Sequence, residues 1–292
     1  MSTRIKTIEL FLALGFATTI GTQVPLNAYE DETADATSEQ LLLAQGAEGG
    51  EGGEGGEGGE GGEGGEGGEG GEGGEGGEGA VSTGNPNVDY MTVLGLMKGH
   101  LIAAEELIAA GNYEQAEPHI GHPVEELYSD IEPVLPEKGV EDFKPSLNQL
   151  HDLIKTAPES PELQALFDES VASIDTAIAA IPEEERNSPE FVINVMVEML
   201  KNAATEYEAA IANGQFVEEV EYQDSRGFVL YAEDLYQNVA DQKEQSDPEA
   251  HQTIAESLEE LKTAWPTIEP PETPVKEPSE VYGLVSQIEF SK

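Results

Sequence analysis

The chain has 292 residues, with 13 Lys and Arg against 60 Asp and Glu, for a formal charge of -47. Such a surface repels nucleic acid and anionic lipid and attracts cations and basic partners, so nucleic-acid binding is excluded; the same charge would also keep a secreted protein soluble in a saline habitat. There is no cysteine, which removes disulfides, thiolate nucleophiles, iron-sulfur clusters, Cys-ligated zinc and a lipoprotein anchor, and leaves His, Asp and Glu to hold any metal.

Residues 1–28 have the three parts of a secretory signal peptide. Arg4 and Lys6 give a basic start, Leu10 to Ile20 an apolar run, and Leu26-Asn27-Ala28 a small residue at the cut. The apolar run is too short to cross a bilayer, so the mature protein is expected in the periplasm or secreted, with no membrane span. Residues 29–85 form an acidic linker dominated by a Glu-Gly-Gly repeat from Glu48 to Gly79. Paired glycines make helix or strand entropically costly and the carboxylates repel, so a solvated, disordered coil about 30 Å or more from end to end is expected. It reads as a spacer; as a cation sponge it would bind only weakly, because each flexible carboxylate must be ordered to serve as a ligand.

From residue 86 the composition turns to that of an all-α fold. A first helix is predicted over Asp89 to Ala110, where Val93, Met97, Ala104 and Leu107 keep three-and-four spacing and Gly111-Asn112 ends the run. A short helix at Tyr113 to Glu117 follows, and Pro123 then opens another with Val124, Leu127, Tyr128, Ile131 and Leu135 on one face. Further helices are read at 142–156, 161–180, 189–212, 217–242 and 248–264. The Pro-rich segment 265–278 is extended, and a last helix covers 280–289. No alternating run is long enough for a sheet.

An internal repeat sharpens this architecture. Glu105, Ile108, Ala109, Gly111 and Tyr113 match Glu208, Ile211, Ala212, Gly214 and Phe216; the block Glu125-Glu126-Leu127-Tyr128 matches Glu233-Asp234-Leu235-Tyr236; Lys155-Thr156-Ala157 matches Lys262-Thr263-Ala264. Order and spacing are kept, so the chain is read as an internally duplicated antiparallel helical bundle: a first helical unit over 86–182 and a second over 183–292, each covering an apolar stripe of its neighbour.

Four of the five histidines fall in the first unit. By the repeat, His100 aligns with Ala203, His119 with Tyr222 and His122 with Ser225, so any site they build is asymmetric. His100 shares the apolar stripe of its helix, which suits either a ligand or a buried neutral histidine. His151 lies on a similar stripe with Leu147 and Ile154, where packing is the simpler role. In Pro118-His119-Ile120-Gly121-His122-Pro123-Val124-Glu125-Glu126, an imidazole and a carboxylate three apart can converge on one ion; the same pair could instead cap a helix that starts at Pro123. Arg226, in a chain poor in arginine, is expected to tie Asp224 or a facing glutamate into an ion pair.

The His122-x-x-Glu125 pair, in an exported and duplicated helical bundle, resembles the imelysin and EfeO group of periplasmic iron-uptake proteins, which carry a Gly-x-His-x-x-Glu motif. Here Gly121 directly precedes His122, where the group has one residue between. The resemblance implies capture of iron or another divalent cation, with His122 and Glu125 as ligands.

Of the enzyme motifs, no Gly-x-Ser-x-Gly elbow, His-Glu-x-x-His helix, phosphate loop or dinucleotide fingerprint occurs, so no enzymatic activity is expected. The expectation is therefore a metal-binding protein with His100, His119, His122 and Glu125 as ligands for iron, copper or zinc, all of which such donors accept. The rival expectation is a structural or protein-interaction module of the cell envelope, docking a protein partner through its helical faces.

Overall fold

The computed structural model describes residues 82–292; the expected signal peptide and the Glu-Gly-Gly tract lie outside the described residues. Asn85 opens the first helix by accepting from the backbone N–H groups of Asn87 and Val88, with Pro86 in the first turn. This helix, α1 (Pro86–Ala110), is apolar nearly all round, as befits a helix surrounded by others. Gly111 then takes a left-handed φ of 80° and returns its N–H to the carbonyls of Leu107 and Ile108.

After that turn come α2 (Tyr113–His122), a π-helical turn (Pro123–Leu127), α3 (Tyr128–Ile131) and α4 (Leu135–Lys138). The first unit closes with α5 (Lys144–Thr156) and α6 (Leu163–Ala179), and the short α7 (Glu183–Arg186) leads to α8 (Pro189–Ala209). Two-residue strands β1 (Ile211–Ala212) and β2 (Gln215–Phe216) pair antiparallel. Then follow α9 (Glu219–Gln237), α10 (Ala240–Ser246), α11 (Pro248–Lys262) and α12 (Pro278–Phe290).

The described residues form an all-α helical bundle, and its packing repeats. In the first unit α1 packs on α2 and α6, and α5 packs on the same two helices. In the second, α8 packs on α9 and α12, and α11 packs on those two. Each set is a closed ring of four helices. The sets share a core because α1 also packs on α8 and α9, and α2 also reaches α9.

Three local features depart from the predicted elements. The helix expected to reach Ala212 stops at Ala209, because Asn213 and Gly214 take φ of 55° and 75° and turn the chain into a tight hairpin. The helix expected over 217–242 is broken into α9 and α10 near Asn238 and Val239. Finally, α2 runs past Glu117 to His122 with Pro118 inside it and continues directly into the π turn, a combination that loosens the regular helical ladder.

Candidate metal centre

Three helices bring the histidines together. His100 sits on α1 among Met97, Ala104 and Leu107, all buried. Its neighbour Gly99 is where α1 and α9 cross: a Cβ on Gly227 of α9 would be driven into the Gly99 carbonyl, and one on Gly99 would lie 2.5 Å from the Phe228 ring. Two bare glycines let the backbones close, and Asp224, about one turn before Gly227, is thereby set against His100. The third helix, α2, contributes His119 and His122, which lie three apart and so on one face.

At the centre is the fully buried Asp224 carboxylate. Its Oδ1 lies 2.5 Å from His100 Nδ1 and 2.6 Å from His119 Nδ1, so both rings donate to it. His119 Nε2 is 2.8 Å from the Gln223 amide. With the Gln223 NH2 turned toward that nitrogen, a neutral His119 is satisfied on both sides, and so is Gln223 Nε2, which is otherwise buried without a partner. The edge of the Phe228 ring closes over His100 at 4.9 Å between centroids.

The other carboxylate oxygen is different. Asp224 Oδ2 lies 3.2 Å from His122 Nδ1, yet both atoms are buried without a hydrogen bond. Two donors about 2.1 Å from one ion and roughly 90–110° apart are separated by about 3.0–3.4 Å, and this pair falls within that interval. One ligand atom each from His100, His122 and Asp224 lie within 4.8 Å of one another. Two imidazoles and a carboxylate are a donor set suited to a divalent transition metal, so the residues fit such an ion.

The electrostatics agree. Burial alone would raise the Asp224 pKa, but the positive charge that His100 and His119 can carry and the hydrogen bonds they donate hold it well below the ordinary value of 3.8. Burial likewise disfavours a charged His122, yet the close Asp224 carboxylate outweighs burial and the repulsion of His100, so its pKa stays above 6.5. A buried carboxylate demands a positive partner. A proton on His122 or a metal ion can each provide it.

Three of the four expected ligands, His100, His119 and His122, converge: the His122 ring centroid is 5.1 Å from that of His100 and 6.3 Å from that of His119. The fourth does not. Glu125 has a side chain 60% exposed and faces His151 Nδ1 at 3.6 Å, while His151 Nε2 contacts Glu117 at 2.5 Å. The carboxylate set toward His122 is instead that of Glu126, its i,i+4 neighbour, 3.6 Å from Nε2. Nor does His122 cap a new helix, since α2 runs on through it and no side-chain cap bond forms. Arg226 pairs with Glu106 at 2.6 Å and not with Asp224.

Asp224 is the residue that sequence reasoning missed. It lies 124 residues from His100, in the other helical unit, and nothing separates one carboxylate from 60 before the helices are packed. The available signal was weak: a Gly227 one helical turn away, inside a helix where glycine is costly, marks a close backbone approach.

Residues 182–291, from just before α7 to the end of α12, match the family described as the iron permease-associated 4-helix bundle domain, a helical-bundle family of iron uptake. No curated protein and no solved structure matches the chain.

Proposed function

We propose that this chain is an exported, non-enzymatic metal-handling protein that binds one divalent transition-metal ion, iron foremost, among His100, His122 and Asp224. One observation carries the reading: His122 Nδ1 and Asp224 Oδ2 are buried, 3.2 Å apart and without hydrogen bonds. Each such atom costs about 1–3 kcal/mol, and a shared cation would relieve both. His119 is assigned to orienting Asp224 from the opposite oxygen, a role that conserves ligand geometry without adding a ligand.

Iron as the cargo is supported by the match of residues 182–291 to an iron permease-associated domain. The same match makes a membrane permease the natural protein partner. Copper and zinc suit the donors equally well, so selection among the three would rest on geometry and supply more than on donor type. Export rests on the basic start and apolar run of residues 1–28, and the periplasm or the cell exterior is the compartment proposed. The narrower kinship with the imelysin and EfeO group rests on Gly121, His122 and Glu125; the outward position of Glu125 leaves that residue outside the ligand set proposed here.

The test is anaerobic titration calorimetry of the full chain with Fe(II), alongside elemental analysis of protein purified without chelators. One tight equivalent is expected above the weak binding of the Glu-Gly-Gly tract. His122→Ala and Asp224→Asn should each weaken it by about 100-fold or more, while Glu125→Ala keeps it. Silence from the wild-type chain, or full affinity in Asp224→Asn, would overturn the reading and leave an envelope interaction module.

A further inference from the structure

His122 is the one side chain of the cluster that reaches the surface. His100, His119 and Asp224 are fully buried, whereas the His122 side chain keeps 18% of its surface exposed and that of Glu126 keeps 20%. The two nitrogens of His122 also face different carboxylates. Nδ1 points inward, 3.2 Å from Asp224 Oδ2, and Nε2 lies 3.6 Å from Glu126 Oε1 near solvent. Glu126 lies four residues beyond His122 in the π turn that starts at Pro123, while the neighbouring Glu125 is directed to His151.

We infer that Glu126 and His122 Nε2 form an outer station, through which a divalent cation passes on its way to the inner pair of His122 Nδ1 and Asp224 Oδ2. The inference rests on the metal-binding reading above and deepens it by giving the ion a route. Neutral imidazole has a single lone pair, so the two stations are used in turn and never together. With the ion on Nε2, the proton is on Nδ1 and is donated toward Asp224. With the ion on Nδ1, the proton is on Nε2 and is donated toward Glu126. The transfer breaks one nitrogen–metal bond and forms another, and one proton leaves Nδ1 as one is taken up at Nε2, so the net protonation is unchanged. Each idle nitrogen has a carboxylate waiting for its proton.

A capture residue differs from a ligand of the final site in its kinetics. Removing a ligand speeds release and lowers affinity. Removing a capture group slows loading and unloading alike, because both pass through the same station. Glutamine at position 126 keeps an acceptor for the Nε2–H but loses the charge that draws in the cation.

Stopped-flow mixing of Co(II) with the full chain provides the measurement, read through the visible absorption of nitrogen-ligated cobalt, which carboxylates of the Glu-Gly-Gly tract do not produce. For Glu126→Gln, loading and unloading should both slow by about tenfold, with the equilibrium affinity changed by less than about threefold. Glu125→Gln removes the same charge one residue away and should load at the wild-type rate. Wild-type kinetics in Glu126→Gln overturn the inference. So does faster release with unchanged loading, which would make Glu126 a ligand of the inner ion, and so does equal slowing in Glu125→Gln, which would make the effect one of general surface charge. A wild-type chain that gives no cobalt band overturns the metal-binding reading itself, and the route with it.

Discussion

In the first helical unit His100, His119 and His122 gather around a buried carboxylate, while the aligned positions of the second hold Ala203, Tyr222 and Ser225. There the Tyr222 hydroxyl donates to the Thr267 carbonyl, and the Trp265 indole N–H donates to Ser225 Oγ. Both partners belong to the Pro-rich segment between α11 and α12, which is much longer than the link between α5 and α6. By the same alignment, Asp224 corresponds to Gly121, where a Cβ would collide with the His151 ring. One copy of the scaffold has therefore filled this face with aromatic packing and a covering segment, and it lends its neighbour the acid that the neighbour lacks. A repeat can thus build an asymmetric site, with ligands drawn from one copy and the buried acid from the other.

The most damaging way to break this arrangement is at the crossing itself. Gly227→Ala puts a methyl group into the Gly99 carbonyl, and backbone cannot swing aside as a long side chain could. A loss of about 2–3 kcal/mol in urea unfolding is expected, together with weaker metal binding as Asp224 is pushed from His100. The same substitution at Gly283, on α12, meets nothing within 4 Å. There the better helix former should stabilise by up to about 1 kcal/mol and leave binding untouched. Equal effects at the two glycines would show that the crossing does not hold the site together.

The sequence made the helices legible wherever a stop was chemical. Gly111 and the Pro residues that open α8 and α11 fixed their boundaries, whereas α5 starts two residues after the expected 142 and α12 two residues before the expected 280. The Asn213-Gly214 pair is a hairpin signal of the same kind, but the apolar Ile211 beside it continued the helical pattern and masked the turn. The π turn was not expected, because Pro123 reads equally as the first residue of a new helix. For the site, the stripe periodicity of His100 pointed inward correctly. The partner carboxylate could not be read, because the contact joins two units and depends on a close approach of glycine backbones that only the packed helices reveal.

The next effect is one of pH, and it runs in opposite directions for stability and for binding. Asp224 titrates below its ordinary value of 3.8 in the folded chain, so its contribution is complete above that pH and is lost as the pH falls through the lower, folded value. His122 titrates above 6.5, so its contribution is complete below 6.5 and fades as the pH rises through the raised value. Metal-free protein should accordingly gain most from this pair between about pH 4 and 6.5, read as the difference in melting temperature between the wild type and Asp224→Asn, which cancels the background of other carboxylates. Metal affinity should rise over the range where that stability fades, because a proton on His122 competes with the ion. A wild-type minus Asp224→Asn difference that is flat with pH would mean that His122 and Asp224 do not titrate against each other.

The smallest expected change tests whether the two faces are independent. Trp265→Phe removes the indole donor to Ser225 Oγ, at 2.7 Å, but leaves the Ser225 hydroxyl donating to the Tyr222 carbonyl at 2.8 Å. One buried bond is lost and most of the ring packing against Tyr207 is retained, for a cost of about 1 kcal/mol in urea unfolding. Ser225 is adjacent to Asp224 along α9, yet its hydroxyl bonds to Tyr222 and Trp265 and not to the histidines. If the covering segment serves only its own unit, Fe(II) affinity in this variant should match the wild type. A fall in affinity beyond what the lost stability explains would mean that the Pro-rich segment holds α9, and with it Asp224, in register for the opposite face, and that the aromatic packing of one unit is part of the metal centre of the other.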